Sequence, residues 1–376
     1  MLLPRYYDNP EKYLEPGRVL VIYGPRRVGK TTLLKEMLGR THLRYVLGSG
    51  DDVRVRQVLG SQDFSVIGNY VGKNELIVID EAQRVPEIGM GLKIIVDQYP
   101  NVRVVATGSS SFDLVNTIGE PLTGRKRTLN VYPLAQMELK NFLSGAQLGW
   151  NLADYLVLGS YPQVLTAKTR EDKIIMLEEI THSYLLKDVL EFEHIKSSGL
   201  VVNLLKLLAF QVGGEVSLNE LATQLRVDVK TVDRYLDLLE KTFVIYRVGG
   251  YSRNLRSEIT SKQKYYFLDN GVRNAVIGQY NELSSRNDVG QLWENFVFSE
   301  RIKKASYTNM YGFRYFWRTY SQQEIDLVEE RDGKLFGYEC KWSSRKEVKP
   351  PREWAVNYPD AEFHVITPDN YLDFVA

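Results

Sequence analysis

Cysteine is nearly absent: Cys340 is the only one in 376 residues. That excludes an intramolecular disulfide and a cysteine-built zinc site, and it favours a reducing compartment. The four histidines, His42, His182, His194 and His364, are scattered, with no metal-ligand spacing. No apolar run approaches the ~20 residues of a membrane-spanning helix. The opening MLLPRYYDNPEKY breaks at Pro4 and turns polar at once, unlike a secretory signal. The expectation is a cytoplasmic protein without membrane contact. An excess of one charge is also missing, since 48 Lys and Arg face 47 Asp and Glu for a formal net charge of +1. A bulk polycation is thereby excluded, though a local basic surface is not. Internal repeats and low-complexity linkers are absent too. What remains, with 44% hydrophobic and 25% charged residues, is an ordinary globular composition. The length exceeds one ordinary core, so two or three closely packed domains are expected.

The most specific stretch is RVLVIYGPRRVGKTTLLKEML. An apolar run, Val19 to Tyr23, reads as a buried parallel strand, and Leu33, Leu34, Met37 and Leu38 read as the buried face of a helix. Between them lies a phosphate loop with its flanks: Gly24, Pro25, Arg26, Arg27, Val28, Gly29, Lys30, Thr31 and Thr32. The two glycines let the backbone curl so that its N–H groups point at phosphate, and the helix directs its positive end at the same anion. Lys30 is placed to neutralise β- and γ-phosphate charge, and the Thr31 hydroxyl to hold Mg²⁺, so ATP with Mg²⁺ is the expected ligand pair. ELIVIDEAQ supplies the second part: an apolar strand, Leu76 to Ile79, tipped by Asp80 and Glu81. Asp80 fits a ligand of the metal or its water, and Glu81 a base that orients the attacking water. A third apolar strand, VRVVATGSSS, ends in Thr107, Ser109, Ser110 and Ser111, which either sense the γ-phosphate or cap the next helix. Arg125, Lys126 and Arg127 follow in a loop, either a solvated charge run or a source of an arginine for a neighbouring γ-phosphate.

These motifs, with LTGR, YPLAQMEL, YLVLGSYPQVL, YLLKDVLE, TVDRYLDLLEKTFVI and YYFLDNGVRNAVIG, cover nearly the whole chain. Together they resemble the bacterial and archaeal AAA-type ATPases that carry a C-terminal domain of unknown function. The resemblance implies an ATP-hydrolysing core in a homo-oligomer, such as a hexamer, with sites shared between subunits. By position in LTGR it suggests Arg125 as the arginine finger.

VSLNELATQLRVDVKTVDRYLDLLEKTFVIYRV reads as helix, turn, helix, strand. Ser217 caps the first helix, which carries Leu218, Leu221, Ala222 and Leu225, and the second buries Val229, Val232, Leu236 and Leu239. With FVIYRV and KYYFL as wing strands this is a winged helix-turn-helix pattern. Lys230, Thr231 and Arg234 are expected to face a nucleic-acid groove, although Asp228, Asp233, Asp237 and Glu240 share the helix and repel phosphate. The wing is more favourable, with Arg247, Arg253, Arg256, Lys262 and Lys264 against Glu258 alone. DNA is the expected partner.

EIDLVEERDGKLFGYECKW reads as a hairpin turning at Asp332-Gly333. That register sets Asp326 opposite Glu339 and Glu324 opposite Lys341. Alternation puts Ile325 and Leu327 on one face and gathers Asp326, Glu339 and Lys341 on the other, a seat for a second Mg²⁺ or Mn²⁺. The order of acid, hairpin and Glu-x-Lys resembles the PD-(D/E)xK nuclease core, with Glu294 in DVGQLWENFVFSERIKK as its helical acid. No proline precedes Asp326, a departure from the common pattern. A cross-strand ion pair between Glu324 and Lys341 is the plainer alternative.

The expected organisation is therefore α/β: an AAA-type phosphate-loop core over 1–135, a helical lid or connector over 136–205, a winged helix over 206–280 and a restriction-endonuclease-like α/β domain over 281–376. Three functions compete: an ATPase that engages or remodels DNA, a nucleotide-dependent switch that docks proteins, and an ATP-regulated metal nuclease.

Overall fold

The computed structural model describes residues 3–109, 121–185, 198–252, 263–343 and 347–376. Its strands form two sheets. The first has five, β1 (Val19–Tyr23), β2 (Tyr45–Ser49), β3 (Leu76–Asp80), β4 (Arg103–Gly108) and β5 (Lys126–Asn130), in the order β2-β3-β4-β1-β5. Every neighbouring pair is parallel. The unbroken apolar runs of β1 and β3 are explained by burial on both faces, as in any parallel sheet covered by helices. Parallel strands bring all their carboxyl ends to one edge, where open α/β sheets hold ligands. The loop after β1, the acids after β3 and the hydroxyls after β4 therefore meet there by topology.

The second sheet has seven strands, β6 (Glu215–Val216), β7 (Ile245–Gly250), β8 (Gln263–Phe267), β9 (Phe313–Arg318), β10 (Glu324–Arg331), β11 (Lys334–Cys340) and β12 (Glu362–Ile366). The order is β12-β11-β10-β9-β7-β8-β6, so the wing strands and the terminal strands share one sheet rather than two. Their junction is thin: β7 meets β9 in parallel through Gly249 opposite Tyr315 and Gly250 opposite Phe316. The expected boundary near residue 280 thus divides helices but not sheets.

Five helices position the sites: α1 (Lys30–Arg40), α2 (Pro162–Thr166), α3 (Leu218–Leu225), α4 (Val229–Lys241) and α5 (Val289–Tyr307). Ser217 caps α3 through the Glu220 N–H, Arg226 takes φ 57° in the turn, and Asp228 caps α4 through the Thr231 N–H. Val232, Leu236 and Leu239 are buried as expected, but Val229, in the first turn of α4, is 37% exposed. Helix α5 is buried almost all round and carries charges into the interior. Glu300 accepts the Gln136 N–H at 2.6 Å, Lys303 donates to Glu300 at 2.7 Å and to Ser160 at 3.2 Å, and Arg301 grips Glu329 at 2.7 and 2.9 Å. The bonds to Gln136 and Ser160 tie the terminal unit to the segments that follow β5 and precede α2.

The hairpin turns where expected: Asp332 and Gly333 both take positive φ, 51° and 73°, and Arg331 pairs with Lys334. The expectation that Ile325 and Leu327 share a face is corrected. Against β9 the register shifts between Ile325 and Val328, a bulge at Asp326-Leu327. Ile325 accordingly packs with Val328, Trp317 and Trp354, while Leu327 joins Tyr338 in the main core.

Candidate active site

The loop after β1 needs its glycines for different reasons. A Cβ on Gly24 would lie 1.9 Å from the Val131 carbonyl oxygen, and Gly29 holds φ 97° as it hands the chain to α1. Lys30 is 5% exposed and donates from Nζ to the Gly24 and Pro25 carbonyls, both at 2.8 Å. The Thr31 hydroxyl donates to Asp80 Oδ2 at 3.0 Å, which joins the loop to the tip of β3. The other oxygen, Asp80 Oδ1, accepts from the Thr107 hydroxyl and from the Glu81 N–H at 3.2 Å. Gln83 donates from Nε2 to Glu81 Oε2 at 2.6 Å and to Ser109 Oγ at 3.0 Å, which fixes the Glu81 carboxylate. Lys30, Thr31, Asp80, Glu81, Thr107 and Ser109 are thus brought together. Ser110 and Ser111 lie outside the described residues.

A cavity of about 390 Å³ opens over this group, lined by Arg26, Arg27, Lys30, Thr31, Thr32, Glu81 and the α2 residues Pro162 and Gln163. Arg27 donates to Gln163 at 2.8 Å and to Glu179 at 3.3 Å, so the loop is tethered to the helical segment above it. An adjoining space of about 150 Å³ is lined by apolar Leu3, Val28, Leu33 and Pro162 and by polar side chains such as Arg5 and Glu36, a mixed surface that can receive a planar base with polar edges. Thr31 Oγ1 and Asp80 Oδ2 offer a hydroxyl and a carboxylate side by side. That fits Mg²⁺, which takes one or two protein oxygens and fills its other positions with phosphate and water.

Arg125 stands elsewhere. Its carbonyl accepts the Val19 N–H at 2.9 Å, at the start of β1, and its guanidinium pairs with Asp97. The phosphate loop begins where β1 ends, about 13 Å further along a strand of this length. Arg125 therefore does not reach the phosphate loop of its own chain.

The expected nucleic-acid contacts divide. Lys230 and Arg234 are exposed on α4, Arg234 lying over the Tyr235 ring at 5.3 Å. Arg247 pairs with Asp233 at 3.4 Å and Glu240 at 3.3 Å, and Lys241 with Asp237 at 2.6 Å, so the acids of α4 are locally neutralised. Arg253, Arg256 and Lys262 lie outside the described residues. Lys264 is a correction: it is 1% exposed in β8, where Tyr265, Tyr266 and Phe267 are buried as well. It faces Glu324 and Glu294, not solvent.

Glu294 of α5, Asp326 of β10, and Glu339 of β11 do converge. Burial first, and then the Asp326 carboxylate, push the Glu294 pKa up to about 8. Burial raises Asp326 as well, and burial together with Asp326 raises Glu339. Burial alone would depress Lys264, but Glu294, Glu324 and Asp326 outweigh it and hold the ammonium charged. Tyr266 donates to Glu294 Oε1 at 2.7 Å, the Cys340 N–H to Asp326 Oδ2 at 2.8 Å, and Lys341 to Glu339 Oε1 at 2.6 Å. The ion pair anticipated between Glu324 and Lys341 is not formed; Glu324 pairs with Lys264 and, at 3.7 Å, with Arg318. Among the described residues no group of three acids, histidines or cysteines is placed to hold one ion, so the expected seat rests on two carboxylates, Asp326 and Glu339. Two lysines stand beside these carboxylates, Lys264 with Glu294 and Glu324, and Lys341 with Glu339.

Lys264 and the Gln83–Ser109 brace escaped the reading of the sequence. The available signal for Lys264 was a lysine interrupting a strand of buried aromatics, which demands a buried partner.

Comparison with known proteins divides the chain in three. Residues 16–140 match an AAA domain, 149–283 a domain of unknown function (DUF8612) and 289–371 another (DUF4143). An uncharacterized protein of Mycobacterium tuberculosis is 27% identical over 339 residues, covering 89% of this chain and 73% of its own. One from Haemophilus influenzae is 28% identical over 322 residues, 80% of this chain and 78% of its own. Another, from Methanocaldococcus jannaschii, is 24% identical over 317 residues, 79% and 69% respectively. Among solved structures, a Walker-type ATPase of Pyrococcus abyssi aligns with a TM-score of 0.47 at 17% identity, over 69% of this chain and 91% of that one. Among the described residues no helix is long and apolar enough to cross a membrane.

Proposed function

We propose that this chain, an AAA-type Walker ATPase whose ATPase domain is followed by two domains of unknown function, hydrolyses ATP at sites completed by a neighbouring copy and uses the cycle to engage DNA. The observation that carries the hydrolytic part is the convergence of Lys30, Thr31, Asp80 and Glu81 at the carboxyl edge of the parallel sheet. In this reading Lys30 leaves the Gly24 and Pro25 carbonyls for the β- and γ-phosphates. Backbone N–H groups of the loop and the start of α1 hold the remaining phosphate oxygens. Thr31 and Asp80 hold Mg²⁺, which neutralises charge between the phosphates when bound. Glu81, kept in place by Gln83, orients the attacking water and receives its proton. Val28, Leu33 and Pro162 receive the base, and the segment 136–205 acts as a lid through the Arg27 tether.

Arg125 supports the oligomer. It lies at the opposite edge from its own phosphate loop, so its charge serves catalysis only at a partner's γ-phosphate. A closed ring, hexameric in the arrangement the resemblance suggests, supplies that partner at every site. Engagement of DNA is proposed for Lys230 and Arg234 on α4 together with Arg253, Arg256 and Lys262. Local neutralisation of the α4 acids supports this by removing part of the repulsion. The terminal unit is read as restriction-endonuclease-like in topology, an arrangement favoured by α5, the β10–β11 hairpin and the parallel pairing of β11 with β12.

ATPase rate with and without duplex, single-stranded and branched DNA tests the proposal. Stimulation by one of these is expected, weakened several-fold in Lys230→Ala/Arg234→Ala and at higher salt. ATP turnover indifferent to every DNA, with no DNA bound, would sink the nucleic-acid half and favour a switch that docks proteins.

A further inference from the structure

We infer that the carboxylate cluster of the terminal unit carries its own cation: the Lys264 ammonium, delivered from β8, stands among Glu294, Glu324 and Asp326 where a divalent metal would stand, and makes the cluster a joint rather than a nuclease centre. Lys264 is 1% exposed, pairs with Glu324, and lies 3.6 Å from Glu294 Oε1. An ammonium so buried is retained only when carboxylates offset its desolvation, and the reverse holds for the carboxylates. One oxygen of each of three carboxylates is also engaged, while Glu339 Oε2 is buried without a hydrogen-bond partner among the described residues. Glu294 accepts from Tyr266, Asp326 accepts from the Cys340 backbone, and Glu339 is held by Lys341. A divalent ion entering here would meet the fixed positive charge of Lys264.

The position of the lysine explains why a joint is needed. Lys264 belongs to the unit of α3 and α4, whereas Glu294 lies on α5 and Glu324 and Asp326 on β10. Among the described residues the sheet is continuous between them through two residue pairs of β7 and β9 and the Tyr251 N–H bond to the Phe316 carbonyl. The ammonium reaches across that junction, its Nζ 5.2 Å from the centre of the Phe316 ring on β9. One side chain from the middle unit thus neutralises acids of the terminal unit beside a junction of two residue pairs. The inference is independent of the ATPase reading.

The test uses the full chain carrying Asp80→Asn, without nucleotide, so that the phosphate loop contributes no Mn²⁺ binding. Mn²⁺ binding is followed by electron paramagnetic resonance and stability by thermal unfolding. With Lys264 intact, no saturable Mn²⁺ site and no Mn²⁺-dependent rise in Tm are expected. Lys264→Ala should lose roughly 5–15 °C in Tm, as the loss of one partner of a buried ion pair implies. It should also gain a Mn²⁺ site that raises Tm and disappears when Asp326→Asn is added. If Lys264→Ala does not fold, Lys264→Met/Glu324→Gln removes a cation and an anion together and carries the same measurement. Mn²⁺ bound at the cluster with Lys264 present, a Lys264→Ala protein as stable as its parent, or a destabilised one that stays blind to Mn²⁺ would each overturn the inference. So would DNA cleavage by the intact chain that Asp326→Ala abolishes.

Discussion

Lys30 and Lys264 are both buried lysines facing oxygen, yet one site is open and the other shut. Lys30 donates to two backbone carbonyls, neutral acceptors it can leave for phosphate without stranding a charge. Lys264 faces carboxylates, and its departure would strip Glu294 of its ammonium and leave Glu324 to Arg318. A cavity of about 390 Å³ lies beside Lys30. Lys264 is 1% exposed, with the Phe316 ring centre 5.2 Å from its Nζ. Burial of a lysine therefore marks a special site, and the charge of its partners tells whether that site awaits a ligand. If the contrast is right, damage to the first site stops turnover and spares the fold, while damage to the second weakens the fold and spares the chemistry.

The largest effect is expected at the edge remote from the phosphate loop. Arg125→Ala should lower kcat by roughly 10³–10⁵-fold, the range for an arginine finger, while ATP binding and Tm stay near their parent values. Mixing Arg125→Ala with Lys30→Ala protein should restore part of the turnover, since some interfaces then pair an intact Lys30 with an intact Arg125. Failure to complement, with each variant still assembling, would place the finger elsewhere. Glu81→Gln should lower kcat by roughly 10²–10⁴-fold, the share of a general base, and should trap bound ATP. Turnover left intact in Glu81→Gln would assign the water to another group.

The closed site predicts a pH effect of defined sign. Glu294 is raised to about 8 in the folded chain by burial and by Asp326, with Lys264, Glu324 and Tyr266 also facing it. In the unfolded chain it titrates near 4.3, like any glutamate. Between these values the folded state binds the extra proton, so this group's contribution is greatest at low pH and declines until about pH 8. Each unit within that window is worth at most about 1.4 kcal/mol. Denaturation midpoints from pH 5.5 to 8.5 should accordingly fall less steeply in Glu294→Gln than in the parent. Parallel profiles would show that Glu294 is already ionised in the fold.

How far the sequence reaches follows the same contrast. The open site was legible almost residue by residue. Gly24, Gly29, Lys30, Thr31, Asp80 and Glu81 are placed by local strand–loop–helix chemistry, and parallel topology does the rest. The hairpin turn was legible too, because Asp332-Gly333 fixes it locally. The bulge at Asp326-Leu327 was not, since it is defined against β9, a strand the hairpin pattern says nothing about. Nor was the destination of Lys264. Read along its strand it was one more basic residue of a wing; only the merger of two expected domains into one sheet puts it opposite Glu324. Long-range pairing between units leaves no periodicity in either sequence segment, and there inference from pattern ran out.

The smallest expected effect probes the joint with the least disturbance. Tyr266→Phe removes one hydroxyl, the donor to Glu294 Oε1, and leaves a ring that stacks on Phe298 at 4.1 Å between centres. Stacking and apolar burial are preserved, so the expected loss is roughly 0.5–1.5 kcal/mol, that of one internal hydrogen bond, read from urea denaturation at pH 7. ATP turnover should not change. In Glu294→Gln the same substitution should cost a different amount, and the difference measures how strongly the hydroxyl and the carboxyl are coupled. A coupling near zero would mean that Lys264 and burial alone hold Glu294, with Tyr266 a bystander. A loss well above a single hydrogen bond would mean that removing one donor loosens the whole ammonium nest, the behaviour of a joint whose parts stand or fall together.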